Sequence, residues 1–238
     1  MRSRLQHEVV VSWIAGQRLV ARRGMTGATG NIYAGLHEFP DMALMLHFLR
    51  PDDLFFDIGA NVGCYTVLAS GVCRARTWAF EPDPTTAADL DRNVAINALW
   101  KRVTVHQIAL GATEADIPFT IGRDTENKVA NPADPNVRIV RQVALDTLAG
   151  ANVPAMIKMD VEGYEPEVIK GAASLLCDSR LKVIESETVT AQWSRRLTRS
   201  GSSQCNMTLS HGSSHGPAAG EQLPTSSLFV TMSSFARD

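Results

Sequence analysis

The chain has 238 residues, of which 45% are hydrophobic and 20% charged, with 23 Lys and Arg against 25 Asp and Glu. This composition excludes a disordered or fibrous protein, and the near balance of charge argues against a nucleic-acid coat protein or a polybasic membrane binder. No apolar run reaches the about 18 residues that a membrane-spanning helix needs. Four scattered cysteines fit free thiols in a reducing compartment. We therefore expect a globular, cytoplasmic protein that binds neither a membrane nor a nucleic acid.

Residues 1–50 are expected to form an N-terminal segment made of a hairpin and a helix. Val9 and Val11 would share one face of a first strand, and the glycine-interrupted stretch 17–33 carries the turn signals of a hairpin. Apolar residues recur at helical spacing between Glu38 and Leu49, and Pro51 ends that helix.

Residues 51–187 alternate strands with helices. The apolar patterns predict strands at 54–58, 77–80, 103–106, 116–121, 137–143, 156–160 and 181–185, and helices at 62–70, at 84–99 and from Pro166 onward. Such alternation is typical of an α/β fold, in which a mainly parallel sheet is covered by helices on both faces.

Residues 188–238 differ in composition from the rest of the chain. This segment is rich in serine, and glycine and proline interrupt every candidate helix; only 228–230 has a clear strand pattern. We expect an atypical, irregular and poorly ordered C-terminal tail.

A glycine-containing turn, DIGANVG at 57–63, follows the first strand of the α/β region and leads into a helix. A dinucleotide fingerprint would need glycine at positions 59, 61 and 64, but Asn61 and Cys64 occupy two of them. S-adenosylmethionine fits better, since it carries an ammonium and a sulfonium instead of a pyrophosphate. Asp57 could face the ammonium directly or through water, while Gly59 and Gly63 allow close backbone approach. A tight turn without a ligand is the alternative.

Glu81 ends the next strand, in the sequence FEPDP at 80–84. An acidic residue about 20 positions after the glycines is placed to accept both ribose hydroxyls of a nucleoside cofactor. Glu81 could instead cap the following helix, but Asp83 is better placed for that role.

A third motif, IKMDVEGYE at 157–165, places Asp160 at the carboxyl end of a strand that we expect beside the first. Open α/β sheets bind ligands at that edge. Asp160 and Glu162 could act as a general base on a substrate hydroxyl or position it. The structural alternative is an ion pair between Lys158 and Asp160 and a helix-capping role for Glu162.

The three motifs, together with GATGNIYAGLHEF at 27–39 and VALDTL at 143–148, resemble the FkbM-type S-adenosylmethionine-dependent methyltransferases. The resemblance covers about residues 17–186 and implies a class I (Rossmann-like) methyltransferase sheet. It also implies methyl transfer from S-adenosyl-L-methionine, usually to a hydroxyl oxygen of a polyketide or sugar. On matching positions it implies a cofactor site without metal, formed by Asp57, Gly59, Ala60, Asn61, Gly63, Glu81 and Pro82, with Asp160 and Glu162 near the reacting centre.

We therefore predict O-methylation of a hydroxyl on a small molecule or glycan. One alternative is a methyltransferase acting on RNA or protein, although the chain lacks interleaved arginine and aromatic residues. Another is a truncated or frame-shifted remnant that at most binds the cofactor. That hypothesis arises because the fold of this family usually ends with a helix and an antiparallel strand pair. The sequence pattern of residues 186–238 does not predict such an ending. The sequence specifies neither the acceptor nor the oligomeric state.

Overall fold

The computed structural model describes residues 8–22, 25–122, 127–131 and 133–186, and the backbone of two strands at 207–211 and 228–232. The chain begins with an antiparallel hairpin of β1 (Val9–Ser12) and β2 (Arg18–Ala21), joined through a 3-10 turn at Ile14–Gly16. Two helices follow, α1 (Thr26–Ala34) and α2 (Phe39–Phe48). The predicted first strand and the predicted helix before Pro51 are thus both present.

Helix α1 differs from the sequence prediction, which assigned the whole stretch 17–33 to a hairpin. Its small residues allow close packing: a side chain on Gly30 would meet the His37 ring at 3.1 Å. The amide of Asn31 also donates to the Gly27 carbonyl within the helix. Tertiary contacts therefore stabilise a helix that its glycines disfavour locally.

Among the described residues, the central sheet has seven strands. Their spatial order is β11 (Met207–His211), β12 (Leu228–Met232), β10 (Val183–Ser186), β9 (Met156–Met159), β3 (Leu54–Ile58), β4 (Arg76–Phe80) and β5 (Val103–His106), and β10 through β5 run parallel. The antiparallel pair β12 and β11 extends the sheet beyond β10. The parallel strands and their main helices are β3 (Leu54–Ile58), α3 (Cys64–Gly71), β4 (Arg76–Phe80), α4 (Pro84–Ile96), β5 (Val103–His106), β9 (Met156–Met159), α6 (Glu165–Lys170) and β10 (Val183–Ser186).

The predicted strands at 116–121 and 137–143 belong to a separate small sheet, not to the central one. Its strands are β6 (Ala109–Leu110), β7 (Ala115–Thr120) and β8 (Val137–Val143), in the order β6-β8-β7. A short helix, α5 (Leu145–Ala149), and a 3-10 turn at Leu175–Cys177 complete the described elements.

Alternate residues of the central strands enter two different cores. Phe55 on β3 and Met156 on β9 pack with α1 to α4, whereas Phe56 and Ile157 pack with α5 and α6 on the opposite face. Near-continuous burial of these strands follows from helices on both sheet faces, as the alternating sequence pattern predicted.

The strand pair that the sequence did not predict is present in the last part of the chain. β11 (Met207–His211) and β12 (Leu228–Met232) are antiparallel, and β12 pairs with β10. The sequence pattern had indicated only 228–230 as a strand, and the expectation of poor order for the rest of 188–238 lies outside the described residues.

Two further expectations concern thiols and membranes. Cys64 and Cys73 are free, buried thiols, but Cys177 is disulfide-bonded, contrary to the expectation of four free thiols. Across the described ranges, no helix is both long and apolar enough to cross a membrane.

Candidate functional site

The turn between β3 and α3 lies against the end of β9. Gly59 has a φ of +74°, and a Cβ there would stand 1.8 Å from the main-chain oxygen of Asp160. The amides of Gly59 and Ala60 both donate to the carbonyl of Phe80, at 3.0 Å, and the amide of Asp160 donates to the carbonyl of Ile58. The three motifs found in sequence therefore meet through main-chain contacts at one edge of the sheet.

Asn61 and Gly63 complete the turn with left-handed backbone, at φ values of 50° and 85°. The Asn61 side chain accepts a hydrogen bond from the amide of Val62, which stabilises this conformation. Gly63 is the N-cap of α3, and a Cβ there would meet Leu90 at 3.0 Å. Gly63 therefore allows α4 to pack closely on the turn.

Glu81 is 6% exposed and joins the turn to the start of α4. Its two carboxylate oxygens accept hydrogen bonds from the amides of Asn61, at 3.0 Å, and Asp83, at 2.9 Å. Burial raises the pKa of Glu81 to about 7, although these two hydrogen bonds lower it. Each oxygen has a second lone pair, so the carboxylate can still accept from two hydroxyl groups of a ligand.

Asp83 is the N-cap of α4, as predicted, and accepts from the amides of Thr85 and Thr86. This leaves Glu81 without a capping role. The structure thus assigns the helix cap at the FEPDP motif to Asp83.

Asp57 is completely buried at the end of β3. One carboxylate oxygen accepts a hydrogen bond of 2.6 Å from the Thr66 hydroxyl, and the other, Oδ1, has no hydrogen-bond partner among the described residues. Burial raises the pKa of Asp57, against the opposing attraction of Lys158. An unpartnered buried oxygen of this kind suits a cation or a donor supplied by a ligand.

Lys158 lies between two acidic residues in a row across the sheet. The strand register pairs Asp57 with Lys158 and Lys158 with Glu185. All three side chains share the face that carries Phe55 and Met156, since strand residues alternate between faces. Burial raises the pKa of Glu185 well above its ordinary range, despite the opposing attraction of Lys158.

The Lys158 ammonium contacts Asp160 and an aromatic ring. Its Nζ lies 3.1 Å from Asp160 Oδ2 and 4.9 Å from the centre of the Tyr65 ring. Tyr65 in turn donates a hydrogen bond of 2.6 Å to Glu38 at the start of α2. Burial lowers the pKa of Lys158, but the surrounding carboxylates outweigh that effect and raise it, so the lysine is charged.

Two cavities open at this edge of the sheet and share lining residues. The first, which we call the Glu81 cavity, extends beneath the small sheet and is lined by Phe80, Glu81, Pro82, Leu110, Phe119 and Val129, among others. The second, which we call the Glu38 cavity, faces α1 and α2 and is lined by Asn31, His37, Glu38, Ala60, Tyr65 and Lys158, among others. Both are lined by Gly59, Asn61, Asp160 and Glu162.

Seven of the nine residues predicted from sequence line these cavities: Gly59, Ala60, Asn61, Glu81, Pro82, Asp160 and Glu162. Asp57 and Gly63 lie behind the turn and shape it from the interior. Glu162 has a left-handed φ of 51° and is exposed at the shared part of the cavities.

Sequence reasoning did not identify Tyr65 or Asn31. For Glu38 it left two roles open, an approach to the cofactor's methionine end or the substrate, and a surface cap. Tyr65 and Glu38 are separated by 26 intervening positions and meet only because α2 packs on α3. No local signal marks such a pair. Among the residues that the structure describes, no group of His, Cys, Asp and Glu side chains is arranged to hold a metal ion.

Comparisons with known proteins agree with this architecture. The family model for the methyltransferase FkbM domain matches residues 57–211, more than half of the chain. A solved rRNA methylase from Streptococcus thermophilus superposes with a TM-score of 0.51 and 10% identity, covering 81% of this chain and 94% of that one. TYW2 from P. horikoshii, solved in complex with MeSAdo, gives a TM-score of 0.52 and 16% identity over 94% of this chain and 69% of that one. At such identities the likeness shows the class I methyltransferase fold alone.

A curated relative is similar in sequence as well. The hexuronic acid methyltransferase AglP of Haloferax volcanii is 28% identical over 145 residues, which are 60% of this chain and 59% of AglP. The match thus spans less than two thirds of that relative. The family match also continues to residue 211, beyond the point near 186 where the sequence resemblance was expected to end. The chain belongs to the FkbM methyltransferase family and has a class I, Rossmann-like methyltransferase fold.

Proposed function

We propose that this protein transfers the methyl group of S-adenosylmethionine to a hydroxyl oxygen of a sugar or glycan. The observation that carries the proposal is the junction of the two cavities at Gly59, Asn61, Asp160 and Glu162. Such a junction allows a nucleoside cofactor in one cavity to present its reactive group to an acceptor in the other.

The residues present fit this cofactor. Glu81 offers two free lone pairs for a ribose diol at the Glu81 cavity. Phe80, Leu110, Phe119 and Val129 provide apolar walls for an adenine ring beneath the small sheet. Glu38 lines the Glu38 cavity beside the turn, and Asp57 is buried behind the turn with one unpartnered oxygen; both favour the cationic ammonium end. When bound, S-adenosylmethionine supplies an electrophilic methyl group on a sulfonium.

Asp160 is the better of the two predicted bases. Lys158 fixes Oδ2 of Asp160 at 3.1 Å, so the other oxygen is oriented and available for an acceptor hydroxyl at the shared wall. In this proposal Asp160 accepts a hydrogen bond from the acceptor hydroxyl and would take its proton when the methyl group passes from the sulfonium sulfur, which keeps the electron pair, to the oxygen. The site's main contribution is alignment of acceptor and cofactor. Glu162 remains the second candidate base.

Support for a sugar acceptor comes from the relative named for hexuronic acid. The rRNA methylase and TYW2 resemble this chain in fold alone, so they carry no argument for an RNA acceptor. We also propose a cytoplasmic location.

The test is calorimetric titration of the full chain with S-adenosylhomocysteine, followed by transfer of labelled methyl from S-adenosylmethionine to a panel of sugars. We expect saturable binding that weakens in Asp57→Ala and Glu81→Ala, and transfer that is lost in Asp160→Asn while binding persists. A folded protein that does not bind would refute the cofactor assignment. Binding without transfer to any acceptor would instead favour the non-catalytic remnant, and any transfer would exclude that remnant.

Two exposed aromatic residues near the Glu38 cavity lead to a further prediction. Tyr33 is 90% exposed and Phe39 is 65% exposed, and they neighbour the lining residues Asn31 and Glu38 along the chain. Aromatic faces of this kind can stack on the apolar face of a sugar ring. We expect Tyr33→Ala and Phe39→Ala to raise KM for a glycan acceptor by about two- to tenfold, the range that one stacking contact provides.

The matched control is Trp100→Ala, because Trp100 is 62% exposed but lines neither of the two site cavities. Steady-state kinetics at saturating cofactor separate KM from kcat. Equal effects of all three substitutions would contradict a specific role for Tyr33 and Phe39.

A further inference from the structure

The small sheet β6-β8-β7 provides one wall of the Glu81 cavity. Leu110 of β6 and Phe119 of β7 line this cavity, as does Val129, which forms an isolated bridge with Phe119. Other parts of the lining come from the motifs at the edge of the central sheet, among them Glu81 and Tyr164. A ligand that fills this cavity therefore contacts both the small sheet and the central sheet.

The small sheet packs around a hydrophobic cluster of its own, distinct from the two cores of the central sheet. The members of this cluster are Ala109, Phe119 and Val140, with Ile117 and Val129 packed against them. Leu110 of β6 instead joins the core on the α5 and α6 face. The core thus anchors β6, while the placement of β7 and β8 over the cavity depends on further contacts.

One such contact joins β8 to the third sequence motif. The Tyr164 hydroxyl donates a hydrogen bond of 2.9 Å to Oε1 of Gln142, and Nε2 of Gln142 donates to the Thr113 carbonyl at 2.8 Å. Gln142 is 3% exposed. A buried amide that is bonded at both its oxygen and its nitrogen is held in one orientation. The Tyr164 hydroxyl therefore fixes where β8 meets the motif.

The loop that carries Tyr164 is itself held in place. The buried Glu165 accepts hydrogen bonds from the main-chain amides of Val161, at 3.4 Å, and Gly163, at 3.3 Å. The main-chain amide of Asp160 donates to the Ile58 carbonyl at the end of β3, at 3.0 Å. The bond between Tyr164 and Gln142 thus ties the small sheet to a loop that is fixed on the central sheet.

We propose that Tyr164 and Gln142 are positioning residues for the cofactor, because their hydrogen bond holds the small sheet over the nucleoside part of S-adenosylmethionine. This inference rests on the proposed function, since it takes the Glu81 cavity as the nucleoside site. Gln142 is buried and acts through the packing of β8. A shift of the small sheet would move Leu110, Phe119 and Val129 away from the nucleoside and so reduce apolar contact with it.

The test compares two ligands that share the nucleoside. The full chain is titrated with S-adenosylhomocysteine and with 5′-methylthioadenosine, which has the nucleoside but not the amino-acid end. We expect Tyr164→Phe and Gln142→Met each to weaken both ligands by about two- to tenfold, the range that one net hydrogen bond provides. In the double variant, Tyr164→Phe should add nothing to the effect of Gln142→Met, since the bond is already absent.

Hydrogen exchange of the ligand-free protein gives a readout of position that does not depend on binding. In Tyr164→Phe we expect faster amide exchange in β7 and β8 and unchanged exchange in β3 and β4. If Gln142→Met does not fold, this measurement and the titrations of Tyr164→Phe still decide the question.

Arg141→Gln is the matched control. Arg141 precedes Gln142 in β8 and points to the opposite face of the strand, where it forms an exposed ion pair with Glu114 at 2.6 Å. This substitution removes a side-chain contact of the same strand on the side away from Tyr164. We expect it to leave both affinities and the exchange of the small sheet unchanged.

The outcomes separate this inference from the proposed function. Wild-type affinity for both ligands in Tyr164→Phe, or additive effects in the double variant, would overturn the inference and leave the cofactor assignment intact. Weaker S-adenosylhomocysteine binding with unchanged 5′-methylthioadenosine binding would place the effect at the amino-acid end and would also overturn it. If the folded wild type binds neither ligand, the proposed function and the inference both fail.

Discussion

Replacing Gly59 with alanine is expected to lower the free energy of unfolding by about 2–5 kcal/mol and to abolish measurable binding of S-adenosylhomocysteine. The added Cβ would lie 1.8 Å from the main-chain oxygen of Asp160, and the φ of +74° disfavours any side chain. Relief of the clash requires the end of β9 to move away from β3. That movement separates Asp160 from the turn and opens the junction of the two cavities.

Gly16→Ala is the matched control for Gly59→Ala. Gly16 has a similar φ of +79°, but no atom lies within 4 Å of the position its Cβ would take. We expect a loss of only about 1–2 kcal/mol, from backbone strain alone, with unchanged ligand binding. Denaturant unfolding and calorimetric titration measure both quantities. Similar losses in the two variants would show that the contact with Asp160 is unimportant.

The affinity for S-adenosylhomocysteine is expected to be about tenfold lower at about pH 6 than at about pH 8. Glu81 must be ionised to accept from two hydroxyl groups, and burial raises its pKa to about 7 in the free protein. Below this pKa, binding requires removal of a proton. Burial lowers the pKa of the neighbouring His106, so this histidine takes up a proton less readily than an ordinary imidazole as the pH falls.

Glu81→Gln tests the assignment of this pH dependence. A glutamine side chain has one acceptor oxygen where the carboxylate has two, so it cannot accept from the Asn61 and Asp83 main-chain amides and from the ligand hydroxyls together. We therefore expect weaker binding of S-adenosylhomocysteine at all pH values. We also expect that binding no longer changes between about pH 6 and pH 8, since the titrating group is absent. Retention of the wild-type pH profile in this variant would assign the titration to another group.

The same carboxyl group affects the stability of the ligand-free protein. Its pKa is raised from 4.5 to about 7 in the folded state, so its stabilising effect is complete below about pH 4.5 and is lost as the pH rises through about 7. The contribution of this group to the free energy of unfolding differs by about 3 kcal/mol between these two pH ranges. Asp57 and Glu185 act in the same direction, because burial raises the pKa of each. Unfolding free energies measured against pH should therefore decline towards neutral pH, less steeply in Glu81→Gln.

Local patterns were sufficient to predict most of the α/β region. The strands at 54–58 and 103–106 appear with the predicted bounds, and the helix from Pro84 begins at its predicted cap, Asp83. These elements combine strong apolar periodicity with clear start signals, which depend on neighbouring residues only. Helix α1 was not predicted because its stability depends on packing of Gly30 against His37 and on the hydrogen bond from the Asn31 side chain to the Gly27 carbonyl. Local helix propensity does not include such contacts.

The sequence by itself determined the fold class, the family and the three motifs that line the site, because each motif is a short run whose backbone role depends on adjacent residues. Only the tertiary structure decided how these runs combine. It placed Asp57, Lys158 and Glu185 in one buried row, since strand order and register, which no local pattern encodes, set which residues are neighbours. It likewise brought Glu38 to Tyr65 through the packing of α2 on α3. The lining of the Glu38 cavity follows from these long-range contacts.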